Sequence, residues 1–226
     1  MKNLFNCVLV LLMIMMFVSH TYAQQYYFVM LNTNPGRAEL PKEKVEEIQS
    51  AHMANMDSLA KESKLLAAGP FNGGGGLQVL FAGTLEEADA ILQSDPAVKA
   101  NRFNTELYPM KMNVGGICPV GEHYEMTEYQ FLKYKPVKDK IEQYDEKKLA
   151  KLLKRHSNYM IENRFKVKMI ADAVFGPANG GILVFDKVDE EIFDKLLKYD
   201  PWIKSELFDT EMKSLWIAKG SFCESR

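Results

Sequence analysis

Residues 41–63 read PKEKVEEIQSAHMANMDSLAKES, and residues 145–163 read DEKKLAKLLKRHSNYMIEN. In the first stretch Val45, Ile48, Met56 and Leu59 fall at the three-and-four spacing of one helix face, and His52 sits inside that stripe. In the second, Leu149, Leu152, Leu153 and Met160 make the stripe, and His156 sits inside it. A chain with only 4 histidines has placed two of them on the inward faces of two matching helices. The match extends outward. A constant shift of 104 takes His52 to His156, Phe71 to Phe175, Phe81 to Phe185 and Glu86-Glu87 to Glu190-Glu191. One inserted residue then moves the shift to 105, taking Asp95-Pro96 to Asp200-Pro201 and Cys118 to Cys223. A fixed register this long predicts one unit written twice.

Each unit reads strand, helix, strand, strand, helix, strand. In the first, the aromatic and β-branched run from Tyr26 to Leu31 opens the sheet. The His52 helix, Leu65 to Gly69, a glycine-rich turn at 72–76 and Leu77 to Phe81 follow. Thr84 and Glu87 have the spacing of a capping box, opening a helix that ends at Asp95-Pro96, and Phe103 to Met112 is the last strand. The second unit repeats this with strands from Thr127 to Tyr134, Lys168 to Phe175, Ile182 to Phe185 and Leu207 to Ala218. Its helices are the His156 run and Asp189 to Tyr199. A βαββαβ unit is the ferredoxin-like arrangement, with both helices on one face of an antiparallel sheet. The third strands are nearly all apolar, so both of their faces are covered. The sheet of the other unit is the simplest cover. The expected fold is therefore α+β, two units packed sheet-to-sheet as an intrachain pseudo-dimer, with unit one at 24–113, a linker at 114–126 and unit two at 127–226.

Residues 1–23 read as a cleaved signal peptide rather than an uncleaved anchor: Lys2, an apolar run from Val8 to Val18, and a small-residue site before Gln24. The run is short for a bilayer span, so the mature chain is expected to be exported, periplasmic or extracellular, with no stable membrane span. It keeps 27 Lys and Arg against 30 Asp and Glu once Lys2 is removed, and it has no basic cluster of the kind that binds nucleic acid. Cys118 and Cys223 end two similar phrases, and form either a disulfide suited to an oxidising compartment or two free thiols.

An imidazole in an apolar stripe needs a hydrogen-bond partner. Asp95 and Asp200 offer matching carboxylates, each at the C-terminal end of its second helix. Helix-dipole energetics disfavour that place, although Asp before Pro also closes turns. A His–Asp contact fixes the imidazole tautomer and suits it to general acid or base work, and the same pair also serves as a structural tie.

The sequence Leu65-Leu66-Ala67-Ala68-Gly69-Pro70-Phe71, with the helical His52 before it and Glu86-Glu87-Ala88 and Asp95-Pro96 after it, resembles the YciI-like (YCII-related) family. The resemblance implies a ferredoxin-like fold pairing as a dimeric α+β barrel, and an active site on a His–Asp dyad. Here those roles fall on His52 and Asp95, with Gly69, Pro70 and Phe71 at the substrate. A dehydrochlorinase acting on a chlorinated hydroxyquinone is one related activity. Unit two keeps His156 and Asp200-Pro201, but Asp172-Ala173-Val174-Phe175 replaces Ala68-Gly69-Pro70-Phe71, so it is the weaker site, with Asp172 a second carboxylate near His156.

Residues 73–76 lack the ending of a phosphate-binding loop, His123 with Glu122 and Glu125 reads as a solvated loop, and no cofactor or metal is implied. Lys147, Lys148, Lys151, Lys154 and Arg155 make a solvated helix flank, and Trp202 and Trp216 read as core or interface. Two functions fit: an exported enzyme using His52 and Asp95 on a small organic molecule without a cofactor, or a non-catalytic binding or interaction module with structural His–Asp pairs.

Overall fold

The structure is a computed structural model that describes residues 25–121 and 123–223. The expected signal peptide lies outside the described residues. In the first half, strand β1 (Gln25–Thr33) leads through helix α1 (Lys42–Lys61) to β2 (Leu65–Pro70) and β3 (Gly76–Ala82). Helix α2 (Leu85–Ser94), a short α3 (Pro96–Lys99) and β4 (Phe103–Val114) complete it. After the two-residue β5 (Gly116–Ile117), the second half runs β6 (Met126–Pro136), a short α4 (Lys138–Ile141), α5 (Glu146–Asn163), β7 (Met169–Val174) and β8 (Gly181–Phe185). It ends with α6 (Glu190–Tyr199), a short α7 (Pro201–Lys204), β9 (Phe208–Ala218) and β10 (Phe222–Cys223).

Local chemistry accounts for the helix starts. The Thr84 hydroxyl caps α2 by accepting from the Glu87 amide at 3.1 Å, and the Glu87 carboxylate reaches back one residue past the cap to accept from the Gly83 amide. Asp145 and Asp189 cap α5 and α6 with their carboxylates alone, accepting from the amides two and three residues on. Between β2 and β3, Gly75 has φ +74° and lies against the Leu31 carbonyl, where any Cβ would collide. Gly180, φ +77°, lies likewise against the Tyr134 carbonyl, which makes Leu31 and Tyr134 counterparts in the two halves.

Eight strands form one antiparallel sheet in the order β2-β3-β1-β4-β7-β8-β6-β9. Each half contributes a ferredoxin-like sheet of four, and β4 pairs with β7 to join them (Lys111↔Val174, Met112↔Ala173). The far edges meet too: Phe71 bridges Leu215, and the Asn72 amide donates to the Ser214 carbonyl at 2.9 Å. The sheet therefore closes into the α+β barrel expected of an intrachain pseudo-dimer. Phe28, Met30, Phe71, Val79, Phe131 and Phe175 fill the space between the two sheets. Phe28 stacks on Phe175 at 4.8 Å, and Phe71 packs against Phe131 at 4.9 Å. Such aromatic pairs across the halves add about 0.5–1.5 kcal/mol each beyond their burial. The helices cover the outer faces on two further cores, so β3 and β8 are buried on both sides.

The expected linker differs from a plain connector. Val114 still belongs to β4, Gly116–Ile117 pairs with Phe222–Cys223, and Cys118 is disulfide-bonded to Cys223. Of the two readings open for the thiols, the structure contains the bridge. Among the described residues, no helix is long and apolar enough to cross a membrane.

Candidate active site

His52 projects from α1 onto the helix-side core of the first half, its ring 6.1 Å from that of Phe103. Its Nδ1 is 2.6 Å from Asp95 Oδ2, and both residues are buried. Asp95 has a second role that the sequence reading missed. Its Oδ1 accepts from the Ala97 amide at 2.7 Å, making it the N-cap of α3 with Pro96 at the first helical position. Its position is thus favoured by helix energetics, contrary to expectation, because a four-residue helix follows the one it ends. One carboxylate oxygen caps and the other receives the imidazole N–H. That arrangement fixes the neutral tautomer with its lone pair on Nε2. Nε2 has no hydrogen-bond partner and is not among the buried unpartnered atoms, and the side chain keeps 9% exposure.

The second half repeats the pair in different surroundings. His156 Nδ1 lies 2.8 Å from Asp200 Oδ1, which also accepts from the Trp202 amide at 2.9 Å and so caps α7. Trp202 occupies the place of Ala97 and stacks on the imidazole at 3.6 Å, nearly parallel. Tyr134, where the first half has Leu31, meets the ring edge-on at 5.0 Å. His156, Asp200 and Trp202 are completely buried. Asp172, in place of Ala68, is also completely buried, with Oδ1 4.0 Å from His156 Nε2 and Oδ2 accepting from Asn113 at 3.0 Å. Burial pushes the Asp172 carboxyl up to about 6, with Asp200 adding to the rise and His156 and Asn113 opposing it. Burial, and then the charge of Asp200, hold the Tyr134 hydroxyl well above its ordinary range.

Gly69 and Phe71 belong to the barrel seam and not to the helix side on which His52 lies. A Cβ on Gly69 would come within 2.4 Å of the Trp216 carbonyl, so this glycine permits β2 to approach β9 at the seam. Phe71 points into the core between the sheets, on the face away from α1, and Pro70 is exposed. The motif is accounted for by barrel closure, a role invisible without knowing that β9 is its neighbour. Trp216, expected in a core or interface, is 47% exposed, and the basic flank of α5 is solvated. Across the halves, Lys133 is buried and holds Glu106 at 2.6 Å, with Tyr108 and Asn32 on the same carboxylate. Among the described residues, no group of three or more His, Cys, Asp or Glu is arranged to hold a metal ion.

Residues 25–111 match the sequence profile of the YCII-related domain. No curated protein matches the chain. Among solved structures, one variant of chlorite dismutase from Candidatus Nitrospira defluvii aligns with TM-score 0.51 at 12% identity, covering 85% of this chain and 91% of that one. Another variant aligns with TM-score 0.50 at 12% identity, covering 88% and 92%. A protein from Lactobacillus acidophilus NCFM, provisionally designated a monooxygenase, aligns over 90% of this chain and 99% of its own. Its TM-score is 0.44 at 13% identity. At such identities the likeness speaks to the fold alone.

Proposed function

We propose that the YCII-related domain at residues 25–111 is the working half of a small-molecule enzyme, with His52 as its general acid and base and Asp95 as the residue that orients it. The observation that supports this is the contrast between the two imidazoles. His52 is tied at Nδ1 and unpartnered at Nε2 with solvent within reach, whereas His156 is tied at the same atom and sealed under Trp202. In the neutral state Nε2 of His52 takes a proton from a bound organic molecule. Asp95 then stabilises the imidazolium through Nδ1–H, and the same Nε2 returns the proton to product or leaving group. The Ala97 amide on Asp95 Oδ1 holds the carboxylate in place through the cycle. Ala68 and Ala97 stand where the second half carries Asp172 and Trp202, the groups that enclose His156. Export of the mature chain is part of the same reading, supported by the apolar leader and by a disulfide of the kind oxidising compartments preserve.

The second reading, a binding module in which both pairs only tie helices, is favoured by the burial of His52, whose whole residue is 7% exposed. A thermal-shift screen of small metabolites, followed by product analysis of every hit, separates the two. The enzyme reading expects turnover by wild type that falls about 10²–10⁴-fold in His52→Ala and is partly retained in Asp95→Asn. Hits that stabilise wild type and His52→Ala equally and are returned unchanged would leave the module.

A further inference from the structure

The sealed imidazole of the second half has unfinished chemistry. His156 Nε2 and Asp172 Oδ1 are 4.0 Å apart, wholly buried, and without hydrogen-bond partners. Trp202 Nε1 is buried and unpartnered as well, while the Tyr134 hydroxyl is held toward the Asp200 carboxylate. Unpartnered buried polar atoms are far from the norm for protein interiors, where such atoms are satisfied by protein or by internal water. The 4.0 Å gap is too long for a direct hydrogen bond and suits a single oxygen held by both atoms. The first half has no counterpart, because Ala68 stands where Asp172 does.

We propose that an internal water bridges His156 Nε2 and Asp172 Oδ1, completing a buried relay Asn113–Asp172–water–His156–Asp200 that shares one exchangeable proton and makes the second half sensitive to pH. Asn113 comes from β4, so the relay also ties the first half to the second; its side-chain amide reaches both Asp172 and the Ser157 hydroxyl. The groups that face the relay are Asp200 before α7, Tyr134 on β6, Tyr159 on α5, whose hydroxyl donates to the Leu196 carbonyl, and the neutral Asn113 and Ser157.

With the proton present, a protonated Asp172 donates through the water to His156 Nε2. Loss of the proton leaves a carboxylate charge wholly buried. The sign follows from the raised carboxyl. The stabilising proton is fully bound below the unfolded value of about 3.9 and is lost as pH rises through about 6. The stack of Trp202 on His156 supplies a reporter, since a charge gained or lost in the relay beside the indole alters its emission.

The test does not depend on turnover, so it stands apart from the role of His52. Trp202 fluorescence is followed from pH 4.5 to 8 in the full mature chain carrying Trp216→Phe, with and without Asp172→Asn, alongside urea midpoints at each pH. We expect a transition near pH 6 with a urea midpoint that falls over the same range, and both flattened by Asp172→Asn. His52→Gln should leave the Trp202 fluorescence transition unchanged. No transition in the parent, or an identical one in Asp172→Asn, overturns the proposal. If Asp172→Asn does not fold, carboxyl-carbon NMR of the parent decides, and an Asp172 that titrates at the ordinary carboxylate value overturns it.

Discussion

Replacing Trp202 with alanine would give the second half the residue that the first half carries at Ala97. Trp202 is wholly buried, stacks on His156 at 3.6 Å and Phe208 at 4.6 Å, and meets Tyr134 edge-on at 5.1 Å. Truncating a buried Trp to Ala costs about 3–5 kcal/mol through lost transfer and the cavity left behind. Aromatic partners on three sides, each worth about 0.5–1.5 kcal/mol, place this site toward the upper end. Polar walls pull the other way, because water can enter and pair with Asp200 Oδ2 and the Tyr134 hydroxyl. The expected loss is therefore about 3–4 kcal/mol, read from urea unfolding at pH 7. Histidine acylation by diethyl pyrocarbonate supplies the second readout. In wild type it should mark His52 and the exposed His123 and spare His156; in Trp202→Ala it should reach His156 as well. A loss below about 1 kcal/mol, or a His156 that stays protected in the folded variant, would refute the argument that Trp202 is the seal.

Two further outcomes follow from the barrel's closure. Cys118→Ser with Cys223→Ser opens a link spanning 105 residues, for which chain entropy gives a loss of about 4–5 kcal/mol, measurable by urea unfolding without reductant; a loss under about 1 kcal/mol would show that the bridge adds little constraint. Gly69→Ala drives a Cβ against the Trp216 carbonyl and should cost about 1–3 kcal/mol, with amide exchange accelerating first in β2 and the facing part of β9; unchanged exchange there would disprove the seam as the site of strain.

Much of the fold was legible because its signals are local or repeat. The stripe around His52, its copy around His156 and the apolar third strands each carry their meaning within a few residues, and the 104-to-105 shift supplies the rest. The pairing of His52 with Asp95 was legible for the same reason, since side-by-side helices leave few other partners. What stayed hidden depends on short or distant structure. Helices α3 and α7 have four residues each, too few for any periodicity, so the capping role of Asp95 and Asp200 went unread although Asp before Pro is its signature. Gly69 and Phe71 answer to β9, about 145 residues away, and no local pattern announces that neighbour. Spacing left the thiols undecided because a bridge depends on separation in space, here 5.9 Å between Cα atoms. Trp202 carries no sequence mark that distinguishes stacking on an imidazole from ordinary core packing.

The barrel is closed by one chain rather than by two copies of a shorter one. A barrel made from identical subunits must obey its two-fold axis: any substitution appears twice, and a residue that plugs one site plugs both. Here the two seams, β4 with β7 and β9 with β2, are related by a broken symmetry. Alanine and tryptophan can therefore occupy corresponding positions in a single molecule. Stoichiometry records the difference. A ligand of the site proposed at His52 should saturate this barrel at one equivalent per chain, where a symmetric barrel would take two.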